Sequence, residues 1–179
     1  MTQVDYIDLI PTDTLLETYV DTDASTTTSE NLFENGDFST NLNGWSVSRG
    51  TAQTVKTGAY EGVSLSINQD STAYQWVDIF GGQTYEFSAA AKSTGDYWGG
   101  IGIQFYDANW QLLNEQEFTV NTSDWTTYQN SFATSENARY ASFWAATSND
   151  GGQLLIDNVV IQEQSAAVTA ETPPSELEE

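Results

Sequence analysis

Short runs of alternating apolar and polar residues cover most of this chain, and they predict β-strands. Between residues 98 and 107, Ile101, Ile103 and Phe105 alternate with glycine or polar residues, which is the pattern of a strand with one buried face. Turn residues such as Gly81-Gly82 separate the runs, and no segment shows sustained helical periodicity. The runs predicted as strands are 45–55, 60–68, 73–80, 83–93, 98–107, 111–120, 125–134, 138–148 and 153–162.

The number and spacing of these short strands predict an all-β fold, an antiparallel two-sheet β-sandwich of the jelly-roll type. Two segments bracket it. Asn31-Leu-Phe-Glu-Asn-Gly-Asp-Phe38 predicts a strand, a glycine turn and a second strand. Leu154-Leu-Ile-Asp-Asn-Val-Val-Ile161 predicts a buried final strand. Asp157 interrupts that apolar strand, so it needs a metal ion or hydrogen-bond donors as partners.

Acidic residues are concentrated at the two ends of the chain. Residues 1–30 hold seven acids and no Lys or Arg, and residues 163–179 hold five acids. The remaining 14 acids and the four bases give residues 31–162 a net charge of −10. With the Thr/Ser run at 22–29, this predicts an acidic arm and linker at 1–30, one β domain at 31–162 and an acidic tail at 163–179.

The overall composition excludes several classes of function. A net charge of −22 repels phosphate backbones and anionic lipid surfaces, so we expect no nucleic-acid binding. The chain has no cysteine and no histidine, which excludes disulfides, thiolate chemistry, Ser-His catalysis and zinc–thiolate sites. No apolar run reaches the length of a membrane span, so we expect no membrane insertion. No export signal is visible at the N-terminus.

One strand face combines aromatic, amide and glycine residues. In the 98–107 run this face carries Trp98, Gly100, Gly102, Gln104 and Tyr106. Such a surface suits sugars, because aromatic rings stack on the C–H face of a pyranose and polar groups reach its hydroxyls. The predicted ligand-binding residues are Trp98, Gln104, Tyr106, Lys92 and Trp144. The other interpretation is that these aromatic rings only pack over the sheet or cover an edge.

The remaining tryptophans are assigned other roles. Trp45 and Trp125 are predicted to be core anchors. Trp76 ranks below Trp144 as a binding residue, and Trp110, beside the Asp107-Ala-Asn109 turn, is equally consistent with a contact at the tip of a loop.

The ordered set of motifs resembles carbohydrate-binding modules of families four, nine and twenty-two. The motifs are Asn35-Gly-Asp-Phe38 with Gly44-Trp45, Gly81-Gly-Gln-Thr-Tyr-Glu-Phe-Ser88 with Lys92, Trp125-Thr-Thr-Tyr128, and Leu155-Ile-Asp-Asn-Val159. They follow one another in the expected order along residues 31–162. The resemblance implies a galactose-binding-like jelly roll whose concave face holds a glycan or polysaccharide.

The same resemblance implies a structural Ca²⁺ between the first and last strands. By position its ligands are Asp37, the carbonyl of Gly58 and Asp157, an all-oxygen set that suits a hard cation. Many relatives have an acidic residue where this chain has Ser39. The alternative for Asp157 is a hydrogen bond to the backbone of Gly36 and Asp37.

A catalytic function is not predicted. Glu115 and Glu117 share one strand face and faintly resemble the acidic strand of jelly-roll glucanases, but Phe118, Thr119 and Val120 follow where a third carboxylate is expected. Two solvated surface acids are the interpretation adopted here, and the protein is predicted not to be an enzyme.

The N-terminal arm suggests a role in attachment. It contains the apolar run Val4-Asp-Tyr-Ile-Asp-Leu-Ile10 and a capping box at Thr14-Leu-Leu-Glu17, so it either docks on a partner or folds back on its own domain. A small leaderless protein of this build resembles phage virion accessory proteins. An excised domain of a larger secreted glycosidase or adhesin is also consistent with the sequence.

The sequence therefore predicts a non-catalytic glycan-binding module displayed on a virion or on an extracellular or cell surface. The alternative is a structural virion decoration protein that binds no glycan and docks on a capsid or surface protein through its arm.

Overall fold

The computed structural model describes residues 29–94, 99–148 and 152–164. In these ranges the secondary structure is entirely β, with no helix that could cross a lipid bilayer. The strands are β1 (Ser46–Arg49), β2 (Ala52–Val55), β3 (Ser64–Asn68), β4 (Thr72–Asp78), β5 (Thr84–Thr94), β6 (Gly99–Asp107), β7 (Leu112–Val120), β8 (Thr126–Ala133), β9 (Ala138–Thr147) and β10 (Gln153–Glu163).

The strands form two five-stranded antiparallel sheets. The first sheet has the order β1-β4-β9-β6-β7, and the second has the order β2-β3-β10-β5-β8. Consecutive strands such as β4 and β5, or β5 and β6, therefore lie in different sheets. This arrangement confirms the predicted all-β jelly-roll sandwich.

The core lies between the two sheets and follows the predicted alternation. Ile101, Ile103 and Phe105 of β6 and Phe143 of β9 are buried inside the sandwich, because alternate residues of a strand point to opposite faces. Tyr85, Phe87, Ala89 and Ala91 of β5, Leu65 and Ile67 of β3, and Leu154, Ile156 and Ile161 of β10 complete most of this core.

The predicted single strand at 45–55 is wrong, because the chain changes sheets inside it. β1 is an edge strand of the first sheet and β2 an edge strand of the second. Gly50 lies between them with φ +66°, and a Cβ atom there would overlap Ser71 Oγ. Only glycine reaches this backbone conformation without strain in so tight a space.

The prediction of two strands at 31–38 is also wrong. Residues 31–45 form successive turns that are organised by Asn35. Its side-chain Nδ2 donates to the carbonyls of Asn41 and Asn43, and its Oδ1 accepts from Thr40 N. The aromatic residues of this segment are nevertheless core residues, and Trp45 is a buried anchor as predicted.

The turn segment is attached to the last strand. Leu32 N donates to the Ile161 carbonyl at 2.8 Å. The Asn31 side chain accepts from Ile161 N at 3.0 Å and donates to the Val159 carbonyl at 2.9 Å. The chain therefore enters the sandwich beside the strand by which it leaves. The predicted arm at 1–30 and tail at 163–179 lie almost wholly outside the described residues.

Candidate functional site

Among the described residues, the outer surface of the first sheet carries six aromatic side chains, and we call it the aromatic face. Strand register fixes its composition: Tyr74 lies opposite Trp144, and Trp144 lies opposite Gly102. Likewise, Tyr106 lies opposite Tyr140. Directly paired residues point to the same side of a sheet. The face comprises Tyr74, Trp76, Tyr106, Trp110, Tyr140 and Trp144.

Four of these rings form a contiguous cluster. The Trp76 ring centroid lies 5.1 Å from that of Tyr106 and 5.1 Å from that of Trp110. Trp110 stacks on Tyr140 with centroids 4.3 Å apart and planes 6° from parallel. Trp76 is 40% exposed and Trp110 is 57% exposed. The cluster thus supports two large, solvent-accessible indole surfaces.

Trp110 is held in place by a constrained turn between β6 and β7. Its backbone has φ +62°, an uncommon conformation for a bulky residue. Asp107 Oδ1 accepts hydrogen bonds from Asn109 N at 2.8 Å and Gln111 N at 2.9 Å. The bond from Gln111 is the main reason that the pKa of Asp107 is lowered from its ordinary value, with a further contribution from Asn109. The ionised carboxylate therefore stabilises the turn that presents Trp110.

Trp144 lies flat on two glycines of β6. A Cβ atom at Gly102 would lie 2.5 Å from Trp144 Cε2, and one at Gly100 would lie 3.2 Å from Cζ3. Gly102 is therefore required for the indole to lie against the sheet. Trp144 Nε1 is shielded from solvent and has no hydrogen-bond acceptor in the described ranges.

A chain of polar groups runs beside the rings. The Tyr106 hydroxyl donates to Gln104 Oε1 at 2.9 Å, and Gln104 Nε2 donates to Glu115 Oε1 at 2.6 Å. Burial, with a smaller effect from the negative charge of Glu115, raises the pKa of Tyr106. The hydroxyl therefore stays protonated at neutral pH.

Only part of the predicted ligand-binding set comes together. Gln104, Tyr106 and Trp144 share the aromatic face, whereas Trp98 lies outside the described residues. The expectation that Lys92 joins this surface is wrong, since β5 belongs to the second sheet and Lys92 points to that sheet's outer side.

Sequence reasoning missed the ring cluster, in which Trp76 contacts Trp110 and Trp110 stacks on Tyr140. The signal present in the sequence was the alternation of Tyr74 and Trp76 in β4. The pairing of β4 with β9, which brings these rings together, could not be read from it.

Trp125 also differs from its prediction. It lies at the surface of the second sheet and not in the core. Its Nε1 donates to the Gly58 carbonyl at 3.2 Å, and Lys92 Nζ lies 5.0 Å from its ring centroid.

The oxygens of two predicted calcium ligands, Asp37 and the Gly58 carbonyl, have hydrogen-bond donors as partners in this arrangement. Asp37 Oδ1 accepts from Ser39 N and Oγ, and the Gly58 carbonyl accepts from Trp125. These oxygens face N–H and O–H donors, whereas Ca²⁺ needs about 6–8 oxygen ligands. Within the described ranges no three acidic side chains converge on one point. Calcium binding stays a prediction from the resemblance.

Asp157 has hydrogen-bond donors as its partners, but different ones from those predicted. Its Oδ2 accepts from Glu61 N at 3.1 Å and Ser64 Oγ at 2.8 Å, and its Oδ1 accepts from Asn158 N at 2.8 Å. The Gly36 carbonyl instead accepts from Val159 N. Burial raises the pKa of Asp157, and the three hydrogen bonds oppose this shift. Asp157 therefore attaches the 56–63 loop to β10.

The aromatic face offers exposed indole surfaces next to an amide, a phenol and a carboxylate. This combination can stack against the apolar face of a ring and hydrogen-bond to hydroxyls around its edge. Fold and site together define a β-sandwich of the sugar-binding class.

Comparison with known families agrees with this class. Residues 30–151 match the family model described as "Carbohydrate binding domain", of carbohydrate-binding module families 4 and 9. The chain belongs to this family. A search of curated protein sequences found no match.

Solved structures share the fold at low sequence identity. A "Family 16 Carbohydrate Binding Module-2" is 22% identical with a TM-score of 0.62, over 73% of this chain and 99% of that one. A family 61 module in complex with β-1,4-galactotriose is 18% identical with a TM-score of 0.60, over 76% of this chain and 100% of that one.

A third solved structure comes from a phage. The enzymatically active domain of tailspike protein 4 from bacteriophage CBA120 is 17% identical with a TM-score of 0.65, over 75% of this chain. The match covers 21% of that solved chain, so the present chain corresponds to about a fifth of its length.

Proposed function

We propose that this protein is a non-catalytic module that binds a glycan on the aromatic face of its first sheet. The observation that carries the proposal is the cluster of Trp76, Tyr106, Trp110 and Tyr140. Two of its indoles are exposed, Trp76 by 40% and Trp110 by 57%. Exposed clusters of large aromatic rings are costly unless a ligand covers them, and they mark binding surfaces.

The organisation of the cluster supports a preformed site. Stacking of Trp110 on Tyr140 and the Asp107-stabilised turn fix the indole before any ligand arrives. A preformed surface loses less conformational entropy on binding. A hydrogen bond already aligns Gln104 and Tyr106. Their remaining donor and acceptor capacity is therefore available to the hydroxyls of the ligand.

The acidic residues of the face favour binding over hydrolysis. Glu115 is hydrogen-bonded to Gln104, and Glu117 lies opposite Gly102 at the exposed edge strand β7. The third carboxylate that the acidic strand of a jelly-roll glucanase carries is absent here, because Phe118, Thr119 and Val120 follow. The same carboxylates repel uronic acids and sulfated sugars, so the expected ligand is a neutral glycan.

Removal of one exposed indole tests the proposal. We expect Trp110→Ala to weaken binding on a glycan array by about 2 kcal/mol, or roughly 30-fold in Kd, as for a central aromatic contact. Tyr106→Ala should weaken it as well. Phe80→Ala is the matched control, because Phe80 is 75% exposed and makes no ring contact with the cluster.

Two outcomes contradict the assignment. One is a wild-type protein that binds no glycan on the array. The other is a Trp110→Ala variant that binds as tightly as Phe80→Ala.

Display on a virion or on a cell surface belongs to the same proposal. It is supported by the resemblance to phage accessory proteins and by the acidic, partly apolar arm at residues 1–30, which is the segment proposed to attach to a capsid or surface protein.

A further inference from the structure

The outer surface of the second sheet contains a groove that the aromatic face does not use. It has a volume of about 430 Å³ and crosses β5, β8 and β10. The strand register places Ser88 opposite both Gln129 and Val160, and Glu86 opposite both Ser131 and Gln162. These side chains therefore point together into the groove.

The lining of the groove is almost entirely uncharged and hydrogen-bonding. Small residues, Ser88, Ser131 and Val160, form its floor, while Gln129 and Gln162 supply amides. The one carboxylate, Glu86, already accepts from Gln162 Nε2 at 3.4 Å and from Gln164 Nε2 at 3.2 Å. Amides and hydroxyls that both donate and accept suit a ligand rich in hydroxyl groups.

Two aromatic rings and an ammonium group lie at one end of the same surface. Lys92 follows Glu86 and Ser88 on the outward side of β5, about 13 Å from Ser88 at the rise of an extended strand. The Trp125 ring lies beneath the Lys92 ammonium and 5.4 Å from the ring of Tyr60, which is 43% exposed. These two rings form an aromatic wall on the same outer surface as the groove, beyond its Ser88 end.

That wall is rigidly held. Tyr60 belongs to the 56–63 loop, which the buried Asp157 holds through Glu61 N and Ser64 Oγ. Tyr60 N also donates to Ser64 Oγ at 3.0 Å. On the other side, Trp125 Nε1 donates to the Gly58 carbonyl. Both rings are fixed without a ligand.

We propose that this groove is a second glycan-binding site, so that one module holds two glycan segments on opposite faces. The proposal rests on the function proposed above. A neutral, hydroxyl-rich chain matches the uncharged amide and hydroxyl lining, and its sugar rings match the Tyr60–Trp125 wall. A second copy of this chain fits less well, because two molecules of net charge −22 repel each other.

The indole N–H signals of a ¹⁵N-labelled full-length protein distinguish the two sites. Trp125 reports on the second groove, and Trp76 and Trp110 report on the aromatic face. The probes are xylohexaose, β-1,4-galactotriose, cellohexaose and chitohexaose. We expect at least one of them to shift the Trp125 signal, and to do so equally in Trp110→Ala, in which the aromatic face is disabled.

The combined variant Tyr60→Ala/Gln129→Ala should lose the Trp125 response and keep that of Trp110. Gln83→Ala is the matched control, since it removes an exposed amide outside the groove. We expect Trp110→Ala to bind at least about tenfold more weakly overall, with the remaining binding removed by adding Tyr60→Ala/Gln129→Ala.

Each other outcome overturns the second site. If sugars shift Trp76 and Trp110 but not Trp125, the aromatic face is the sole site and the proposed function stands. If a shift of Trp125 disappears in Trp110→Ala, it was transmitted from the first face. If Trp125 responds to protein concentration and not to sugar, the groove joins two copies. If no indole signal responds to any probe and the protein also binds no glycan on the array, both proposals fail.

Discussion

Trp144 and Gly102 show how one small residue shapes the aromatic face. The indole takes the volume that a side chain on β6 would occupy, so that its ring lies parallel to the sheet. Trp144 lies opposite Tyr74 in the sheet, so the two rings are neighbours on the aromatic face. The glycine is therefore part of the site although it contributes no atom beyond its backbone.

Substitution of Gly100 and Gly102, the two β6 glycines against which Trp144 lies, should lower stability by different amounts. We expect Gly102→Ala to lower the free energy of unfolding by about 1–3 kcal/mol, because its methyl group overlaps the Trp144 indole. Gly100→Ala should cost less, since its methyl group needs only a small adjustment of the same ring. Urea titration followed by tryptophan fluorescence measures both. Equal stabilities of the two variants would contradict this account of the packing.

At this scale the sequence predicted the direction in which a side chain points better than the residues that it contacts. Alternation in β6 correctly placed Gln104 and Tyr106 opposite the buried Ile103 and Phe105, because alternation is a local property of a strand. Lys92 was placed on the wrong sheet, since strand order depends on long-range pairing. The stacking of Trp110 on Tyr140 was not predicted, because it and the positive φ of Trp110 arise only in the folded turn.

At the scale of elements, the 56–63 loop depends on a single buried carboxylate. Asp157 provides the oxygens for Glu61 N and Ser64 Oγ, and the loop in turn carries Tyr60 and Gly58. A buried carboxylate with a raised pKa has a desolvation cost that its hydrogen bonds offset.

Removal of Asp157 tests which interaction holds the loop. We expect Asp157→Ala to lower the free energy of unfolding by about 1–3 kcal/mol, as it leaves buried donors without an acceptor. Asp157→Asn should cost less, because its remaining oxygen still accepts from Glu61 and Ser64. Differential scanning fluorimetry with and without EDTA is the measurement.

If the hydrogen bonds alone hold the loop, EDTA leaves the wild-type Tm unchanged. A fall in the wild-type Tm on EDTA addition, absent in Asp157→Ala, would instead support the predicted calcium ion and contradict the hydrogen-bond account.

Element boundaries were predictable where a strand stays in one sheet. β5, β6 and β9 match the predicted runs closely, because turn residues such as Gly81-Gly82 and Asp107-Ala-Asn109 bound these runs. The prediction of a single strand at 45–55 failed, because the alternation continues in both β1 and β2. Only the conformation of Gly50 moves the chain to the other sheet. The prediction of strands in the segment that forms turns at 31–45 failed, because buried aromatic residues in irregular structure resemble strand residues in the sequence.

At the scale of the whole molecule, the proposed attachment through the arm can be tested together with the arm's charge. Deletion of residues 1–30 removes seven acids and no base, which changes the net charge from −22 to −15. We expect the deletion to abolish co-sedimentation with the particles or envelopes that carry the full-length protein, and to leave glycan-array binding unchanged.

The deletion should also narrow the difference in Tm between low and high salt, because self-repulsion falls with net charge and salt screens it. Co-sedimentation that survives the deletion would contradict attachment through the arm.

The bonds that join Asn31 and Leu32 to Ile161 and Val159 also determine how the domain would carry mechanical load. If the arm holds a particle and a glycan holds the module, tension reaches the sandwich at Asn31. The hydrogen bonds to β10 are loaded first, and β10 is the central strand of the second sheet, with β3 and β5 on its two sides. A pull would therefore be spread across the second sheet before it crossed the core to the first sheet, whose exposed indoles are proposed to hold the glycan.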